Sequence, residues 1–222
     1  MQHHILHKNM MQSQIFPETL RNHNVIDRIK EVPRYMFFQG IWKDLCYTDL
    51  DIKICESPPR YELRPFAISH MLNILETKQQ VDSSVLVVGA STGYVPSLLA
   101  GCFSHVYVID SCPDIVQKAT QNISDAGLSQ NISIIHTDTM RNGYDSYAPY
   151  DSIFFNGAIE ELPQIFSTQL RHLGQIITLK KYGNICSCLD MRKIHDRLSS
   201  RTIIDCDAHI IPEFHLEKQF TF

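Results

Sequence analysis

A glycine turn and a carboxylate, each following a short apolar run, are the residues of this sequence best suited to hold a ligand. Gly89 and Gly93 come directly after the apolar run Val85–Val88, and the apolar segment Tyr94–Cys102 follows them. Asp110 ends the next apolar run. A strand, a glycine turn, a helix and a second strand that ends in an acid form a unit that binds the ribose of an adenine cofactor. The unit alone leaves the identity of the cofactor open.

From residue 84 onwards the chain alternates strand-like and helix-like segments, which is the pattern of an α/β fold. The predicted strands are Val85–Val88, His105–Asp110, Ile132–His136, Ser152–Phe155, Gln175–Leu179 and a final pair near Ile185–Met191 and Ile203–Ile211. The predicted helices between them are Tyr94–Cys102, Pro113–Ala126 and Leu162–Leu170. We therefore expect a doubly wound, mostly parallel sheet of seven strands.

The residues before this sheet predict a helical extension packed against it. Its expected elements are a helix over Gln12–Glu31 ended by Pro33, a short exposed strand within Tyr47–Cys55 and a helix from Pro65 to about Lys78. The histidines His3, His4 and His7 are expected in a frayed, solvated start. We expect one compact domain overall, with residues 1–80 as a substrate-side extension and residues 81–222 as the core.

Composition narrows the class of protein. The 222 residues are 44% hydrophobic and 20% charged, with a formal net charge of -4, as in one ordinary soluble α/β domain. The sequence has no stripe of basic residues that could bind the phosphates of nucleic acid, and it has no apolar run long enough to span a bilayer. The seven cysteines are scattered and no secretion signal is visible, so reduced thiols in the cytoplasm are expected. Cys186 and Cys188 have no second ligand pair, so no metal site is expected.

Several short motifs, in the order in which they occur, carry a family resemblance. They are Val32–Phe37 (V-P-R-x-x-F), Tyr47–Asp49 (Y-x-D), Gly89–Tyr94 (G-x-G-x-G-Y), Ala148–Asp151 (A-P-Y-D), Glu161–Pro163 and Leu170–Gly174. Over most of its length the chain resembles the class I S-adenosylmethionine-dependent methyltransferases, and more narrowly the protein-L-isoaspartate O-methyltransferases, in a divergent bacterial branch. The resemblance implies a Rossmann-like fold, S-adenosyl-L-methionine as cofactor, and methylation of isoaspartyl carboxylates in damaged proteins or peptides.

The resemblance also implies a set of cofactor-binding residues. They are Gly89, Ala90, Ser91, Gly93, Tyr94, Asp110, Asp138 and Asn156. Asp110 would accept hydrogen bonds from both ribose hydroxyls, Asp138 would hold the adenine amino group, and Asn156 would face the transferred methyl. The residues taken alone leave simpler roles open, because Asp110 could cap the helix that follows it and Asp138 could be a turn residue.

Three positions depart from the family pattern. Ser91 replaces the middle glycine of the turn, where a backbone geometry that serine adopts reluctantly is expected. Val87 stands where the family has a carboxylate, and Leu63 stands where its substrate segment T-I-S-x-P has a hydroxyl. The substrate segment here is Tyr61, Glu62, Leu63, Arg64 and Pro65, and Arg60 precedes it. Arg60 and Arg64 could bind an anionic group, or could be solvated arginines on a loop.

These observations leave three readings of function. The first is a methyltransferase acting on isoaspartyl residues of damaged proteins. The second keeps the fold and cofactor but changes the methyl acceptor, which the residues at Tyr61, Leu63 and Arg64 favour. The third is a non-catalytic binding protein, which the altered glycine turn favours. The oligomeric state is left open, and the aromatic tail Phe214–Phe222 is expected either to pack on the domain or to contact a partner.

Overall fold

Nine strands lie in the part of the chain that the computed structural model describes, which is residues 2–15, 22–76 and 82–216. They are β1 (Ile52–Cys55), β2 (Arg60–Glu62), β3 (Ser84–Val88), β4 (His105–Asp110), β5 (Ile132–His136), β6 (Tyr150–Ile159), β7 (Leu170–Tyr182), β8 (Ile185–Ile194) and β9 (Arg197–Asp205). The first two pair as a separate antiparallel hairpin, and the other seven form one sheet in the order β5-β4-β3-β6-β7-β8-β9.

Strands β3 to β7 are parallel, whereas β8 and β9 run antiparallel to their neighbours. The chain moves outward from β3 through β4 to β5 and then returns to the other side of β3 as β6. A reversal of strand order in an open parallel sheet leaves a crevice beyond the carboxyl ends of the central strands. The predicted doubly wound, seven-stranded sheet is confirmed, and its crevice lies beyond β3, β4 and β6.

Seven α-helices and several short turns of other helix types accompany these strands in the described residues. The α-helices are α1 (Gln2–Met10), α2 (His23–Glu31), α3 (Trp42–Leu45), α4 (Pro65–Asn73), α5 (Tyr94–Leu99), α6 (Pro113–Asp125) and α7 (Ile165–Thr168). A π-helical turn spans Met11–Ile15, and 3-10 turns span Arg34–Phe37, Met140–Asn142, Asp145–Tyr147 and Pro212–Phe214. The central helices α5 and α6 begin where the sequence predicts them.

The central strands are apolar on both faces because both faces of the sheet are covered. All five residues of β3 are buried. Val85 and Val87 join a hydrophobic cluster that also contains residues of the N-terminal extension, while Leu86 and Val88 join a cluster on the opposite face. This alternation is the two-residue period of a strand, and it makes β3 the centre of both cores.

The last part of the sheet differs from the prediction. The final strand is β9, Arg197–Asp205, whereas the sequence predicted Ile203–Ile211. Strand β8 continues to Ile194, and a tight turn with His195 in the left-handed region starts the return early. The chain then leaves the sheet and crosses its carboxyl edge, where Ile211 N–H donates to the carbonyl of Ala158 across 2.9 Å.

Two helical predictions are also corrected. The helix expected over Leu162–Leu170 is only Ile165–Thr168, since Leu170 already pairs with Tyr150 as the start of β7. The N-terminus is not frayed: α1 is a helix with His7 and Met10 buried, and the His7 ring meets the Tyr47 ring edge-on at 6.1 Å. The helix expected from Pro65 to about Lys78 ends at Asn73, and of the helix expected over Gln12–Glu31 only His23–Glu31 is α-helical in the described residues. The parts of these two predictions at residues 16–21 and 77–78 lie outside the described residues.

Candidate functional site

The glycine turn after β3 has the backbone that only glycine adopts easily. Gly89 and Gly93 have φ values of +98° and +90°. A Cβ on Gly93 would lie 2.9 Å from Cγ1 of Ile123, so the absence of a side chain also lets α6 pack against the turn. Ala90 N–H, within the turn, donates to Oδ2 of Asp110 across 2.9 Å. The turn and the acid of β4 are therefore joined directly.

Ser91 occupies the left-handed region, with φ of +50°. The unfavourable backbone geometry expected at this position is thus confirmed. Its hydroxyl donates to Oε2 of Glu62 across 2.5 Å, so the side chain that replaces the glycine has a buried acceptor. Ser91 is itself 7% exposed. The turn is consequently tied to β2 by the very side chain that departs from the family pattern.

Asp110 is buried and has three donors. Its Oδ2 accepts from Ala90 N–H, and its Oδ1 accepts from Cys112 N–H across 3.0 Å and from Arg60 Nη2 across 2.9 Å. The bond to Cys112 is a local side-chain-to-backbone contact at the residue before α6, and it is not a side-chain cap of that helix. The third donor is the unexpected one, because it comes from the hairpin and takes an acceptor position that a ribose hydroxyl would use.

Arg60 is buried beside this carboxylate, with 7% of its side chain exposed. The prediction of a solvated loop arginine is therefore wrong for Arg60. Its Nη2 also lies 3.5 Å from the Ser111 hydroxyl and 4.0 Å from Oε1 of Glu213. Its Nε has no hydrogen-bond partner among the described residues. One short hydrogen bond, to Asp110, thus holds the guanidinium.

Glu62 is held far more firmly than Arg60. Besides the Ser91 hydroxyl, its Oε2 accepts from Thr92 N–H across 3.2 Å and from the Thr92 hydroxyl across 2.9 Å. Its Oε1 faces Nη1 of Arg34 at 3.4 Å, and both side chains are fully buried. A buried ion pair survives only when hydrogen bonds satisfy its remaining polar atoms, and this one meets that condition.

Arg34 connects the extension to the same place. Its Nε donates to the carbonyl of Cys46 across 2.9 Å, and its Nη2 donates to the carbonyl of Leu63 across 2.6 Å. The guanidinium also lies 5.0 Å from the centre of the Tyr94 ring, a distance suited to a cation–π contact. The motif arginine is therefore a structural cation that fixes β2 beneath the glycine turn.

The space left between these groups is small. A cavity of about 20 Å³ remains, lined by Arg60, Tyr61, Gly89, Asp110, Asn156 and Ile211 among others. That volume holds about one water molecule. Asn156 is buried and donates to the carbonyl of Gly89 across 3.2 Å, while its Oδ1 has no partner in the described chain. Both unpartnered polar atoms of the cavity, Arg60 Nε and Asn156 Oδ1, are suited to a polar ligand.

A larger groove adjoins this cavity on the side of the extension. It has a volume of about 260 Å³ and is lined by Phe38, Trp42, Ile54, Ser91 and Lys118 among others. Ile54 and Ser91 line both spaces, so the groove leads to the glycine turn from outside.

Some of the predicted site residues are not brought to the cavity. Tyr94 lies in the core, with its ring 5.4 Å from that of Phe37, and burial raises the pKa of its phenol, which therefore stays protonated at neutral pH. Asp138 is exposed and lies outside the residues that line the cavity. Leu63 is buried in the core. Of the predicted substrate segment, Tyr61 alone lines the cavity, where its ring meets that of His209 edge-on at 3.6 Å.

Arg64 is likewise occupied elsewhere. Its Nε and its backbone N–H both donate to Oδ1 of Asp51, each across 3.0 Å. The hydrogen bond to Asp51 raises the pKa of Arg64 above its usual value, so the guanidinium stays charged. The side chain is 27% exposed. Arg64 therefore anchors the hairpin to the residue before β1 and is not a free anion receptor.

Sequence reasoning missed Glu62 and the clamping role of Arg34. One signal was available for the glutamate, because Glu62 stands at the apolar isoleucine position of the family's T-I-S-x-P segment. A carboxylate at an apolar position of a buried segment needs a partner, and the motif arginine could supply one. Glu213 was missed as well: its carboxylate accepts from Thr139, Met140 and Ser111, and it binds the crossing C-terminal segment to the sheet edge.

The fold and this strand-end arrangement define the class I S-adenosylmethionine-dependent methyltransferases. The family model described as Protein-L-isoaspartate(D-aspartate) O-methyltransferase (PCMT) matches residues 5–201 of the chain. The chain belongs to this family of methyltransferases.

Curated relatives agree with the assignment, and solved structures share the fold. The chain is 28% identical to a protein-L-isoaspartate O-methyltransferase of Methanoculleus marisnigri, over 77% of this chain and 74% of the relative. It is 28% identical to that of Photobacterium profundum, over 71% and 73% of the two chains. Its fold matches a beta-aspartate methyltransferase (PCMT) from Plasmodium falciparum in complex with S-adenosyl-L-homocysteine, with TM-score 0.75, 18% identity, and 94% and 97% coverage. A second protein-L-isoaspartate O-methyltransferase structure gives TM-score 0.78 at 16% identity, and the match spans 94% of this chain and 65% of that one.

The residues at the site are of the types expected to bind the family's cofactor, S-adenosyl-L-methionine, but the free volume is too small for it. Asp110 follows β4, the glycine turn follows β3, and Asn156 presents an unpartnered buried oxygen. The remaining volume is that of one water molecule, because Arg60 lies on Asp110. The cofactor therefore does not fit the site in this arrangement.

Within residues 2–15, 22–76 and 82–216, no helix combines the length and the apolar character needed to cross a membrane. Nor does that part bring three or more His, Cys, Asp or Glu side chains into a group able to hold a metal ion.

Proposed function

We propose that this protein is an S-adenosylmethionine-dependent methyltransferase that esterifies the isoaspartyl carboxylates of damaged proteins or peptides. The observation that supports the proposal most directly is the family match, because it covers strands β1 to β8, the glycine turn and Asp110. The joined turn and carboxylate at the carboxyl ends of β3 and β4 are the fold's usual place for a nucleoside.

Methyl transfer to a carboxylate does not require the chain to supply a general acid or a general base. A side-chain carboxylate of the acceptor is already ionised at neutral pH, so no residue has to remove a proton from it. What the chain must supply is placement, which is worth several kcal/mol of barrier when reacting groups are held in line. Tyr61 is the member of the substrate segment that lines the cavity, and it is the residue we assign to contact the acceptor.

The hydroxyl missing from the substrate segment affects the rate of methyl transfer more than the type of reaction. Leu63 is buried in the core, and its side chain cannot donate a hydrogen bond to the methyl acceptor. By analogy with the removal of one positioned hydrogen bond, the rate falls by roughly tenfold to a thousandfold relative to a segment that keeps the hydroxyl. This position also favours a second candidate function, methylation of a different carboxylate by the same fold and cofactor.

The location we propose is the cytosol. All seven cysteines occur as free thiols, and six of them are buried. Several free cysteines in one chain are typical of proteins in a reducing compartment.

The decisive test is transfer of labelled methyl from S-adenosylmethionine to an isoaspartyl peptide, beside a normal aspartyl peptide of the same sequence. We expect base-labile methyl ester on the isoaspartyl peptide alone, and its loss in Asp110→Asn. If S-adenosylhomocysteine binds but neither peptide is labelled, the second candidate replaces the first. If the ligand does not bind either, the chain is a non-catalytic member of the family.

A further inference from the structure

The hairpin of β1 and β2 places a cation where a cofactor's ribose would be held. Nη2 of Arg60 donates to Oδ1 of Asp110 across 2.9 Å, and both side chains are at least nine-tenths buried. A ribose would offer the same carboxylate two hydroxyl donors. The guanidinium and the ribose are therefore competing donors for one acceptor.

The two ends of β2 are held with very different strength. Glu62 accepts three hydrogen bonds from Ser91 and Thr92, and it faces the buried Arg34. Arg60, two residues away, has a single short bond, and its Nε is unpartnered among the described residues. Glu62 is thus the fixed end of the strand and Arg60 the releasable end.

The hairpin itself is a small element. Strand β2 has three residues, pairs with β1 alone and stands apart from the main sheet. Two-stranded hairpins have little stability of their own, so side-chain contacts with the sheet decide where this one lies. At its free end those contacts include the Arg60 bond to Asp110, the longer contacts of the same guanidinium with Ser111, Met140 and Glu213, and the Tyr61 ring against His209.

We infer that Arg60 is an internal occupant of the ribose position, and that the β1–β2 hairpin turns about Glu62 to release Asp110 before a cofactor binds. This inference rests on the proposed function, since it takes the crevice at Asp110 as the cofactor site. Arg60 then sets the cofactor affinity: the measured dissociation constant is the intrinsic one divided by the fraction of molecules in which the hairpin is open.

Calorimetric titration of S-adenosylhomocysteine tests this in three proteins: the wild type, Arg60→Ala, and Arg171→Ala as a matched control. Arg171 also donates across 2.9 Å to a buried aspartate, Asp151, but it does so at the start of β6, on the opposite edge of the sheet. We expect Arg60→Ala to bind the ligand at least about tenfold more tightly than the wild type, and Arg171→Ala to bind it like the wild type.

The outcomes separate the inference from the proposed function. If the wild type binds and Arg60→Ala binds equally or more weakly, the inference is overturned and the proposed function stands. If neither protein binds the ligand, the crevice is not a cofactor site, and both fail. Asp110 keeps its two backbone donors in Arg60→Ala, so the variant retains most of the local hydrogen bonding.

A second measurement needs no variant. Hydrogen exchange of the wild type, with and without S-adenosylhomocysteine, follows the backbone amides of residues 52–62 and of the glycine turn. We expect the ligand to protect the turn and to increase exchange in the hairpin. Greater protection of the hairpin in the presence of ligand would mean that it closes on the cofactor, which contradicts the inference.

Discussion

The guanidinium of Arg60 and the carboxylate of Asp110, 50 positions apart in the chain, meet across 2.9 Å at the carboxyl end of β4. This bond joins the hairpin of the extension to the edge of the sheet where the fold holds its ligand. It also makes the small extension strand β2, and not the glycine turn alone, the element that controls space in the site.

Arg34→Met is expected to destabilise the protein by about 3–5 kcal/mol. The substitution removes the buried partner of Glu62 and leaves the carbonyls of Cys46 and Leu63 without their donors. Urea unfolding measures the change in the free energy of unfolding.

The control for Arg34 is Lys30→Met, which breaks an ion pair with Asp27 whose side chains are 52% and 63% exposed. It is expected to change the free energy of unfolding by less than about 1 kcal/mol. A loss at Arg34 as small as this would show that the buried pair is not a structural clamp.

Gly93→Ala is expected to lower the free energy of unfolding by about 2–5 kcal/mol, and Gly183→Ala by about 1–2 kcal/mol. Both glycines lie in the left-handed region, with φ of +90° and +59°, which disfavours alanine by about 1–2 kcal/mol. Only at Gly93 would the added Cβ also meet Ile123 at 2.9 Å, and overpacking of that kind costs about 1–3 kcal/mol. Thermal unfolding of both variants gives the comparison, and equal effects would contradict the close packing of α6 on the turn.

Cys55 is expected to be the thiol that reacts first with a disulfide reagent in the native protein. It is partly exposed on β1, whereas the other six cysteines are buried. Burial raises the pKa of Cys46 and Cys188 to about 12 and that of Cys102 to about 11, and the thiol form is a poor nucleophile. Titration should show one fast equivalent in buffer and seven in denaturant.

The fast equivalent should disappear in Cys55→Ser. Its survival in that variant would locate a second reactive thiol and refute the burial of the other six. Because Cys55 lies on the hairpin, the same reaction also reports on hairpin movement when S-adenosylhomocysteine is added.

His7 is expected to make the protein less stable as the pH falls below about 6.5. Burial lowers the pKa of His7 below its ordinary value of 6.5, so the unfolded state binds the proton more tightly than the folded state. The stability that comes from burying the neutral ring is therefore present above pH 6.5 and is lost as the pH falls from there toward the lowered pKa.

Urea unfolding at pH 7.5 and 5.5 measures this effect in the wild type, His7→Phe and His105→Phe. His105 is exposed at the start of β4 and serves as the control. The drop in stability should shrink in His7→Phe and persist in His105→Phe. An unchanged drop in His7→Phe would mean that other groups cause it.

Local patterns were sufficient for two neighbouring strands on one side of the sheet. Strands β4 and β5 have their predicted bounds, because short segments rich in valine and isoleucine between turn residues are typical of strands. The end of the sheet could not be placed in the same way. Ile210 and Ile211 are as apolar as a strand, but they cross the carboxyl edge beside Ala158 instead of extending the sheet.

The site divides along the same line. Asp110 and the turn at Gly89 and Gly93 could be predicted because short local patterns identify them. Asp110 is an acid at the end of a strand, and the two glycines stand where the backbone has a positive φ. Leu63 and Arg64 were assigned to the site by position in a motif, and the structure gives them to the core and to Asp51. A side chain's direction depends on what packs against it, which a linear pattern does not contain.

The sequence by itself determined the sheet, the glycine turn, the acid that follows β4 and membership in a methyltransferase family, since each depends on local periodicity or on motifs in order. Only the tertiary structure decided which charges face one another. Arg34, Glu62 and Ser91 form one buried group, and Arg60 reaches Asp110, because the hairpin folds over the turn. The energy of an ion pair depends on burial and on distance in space, and both are set by how distant segments pack.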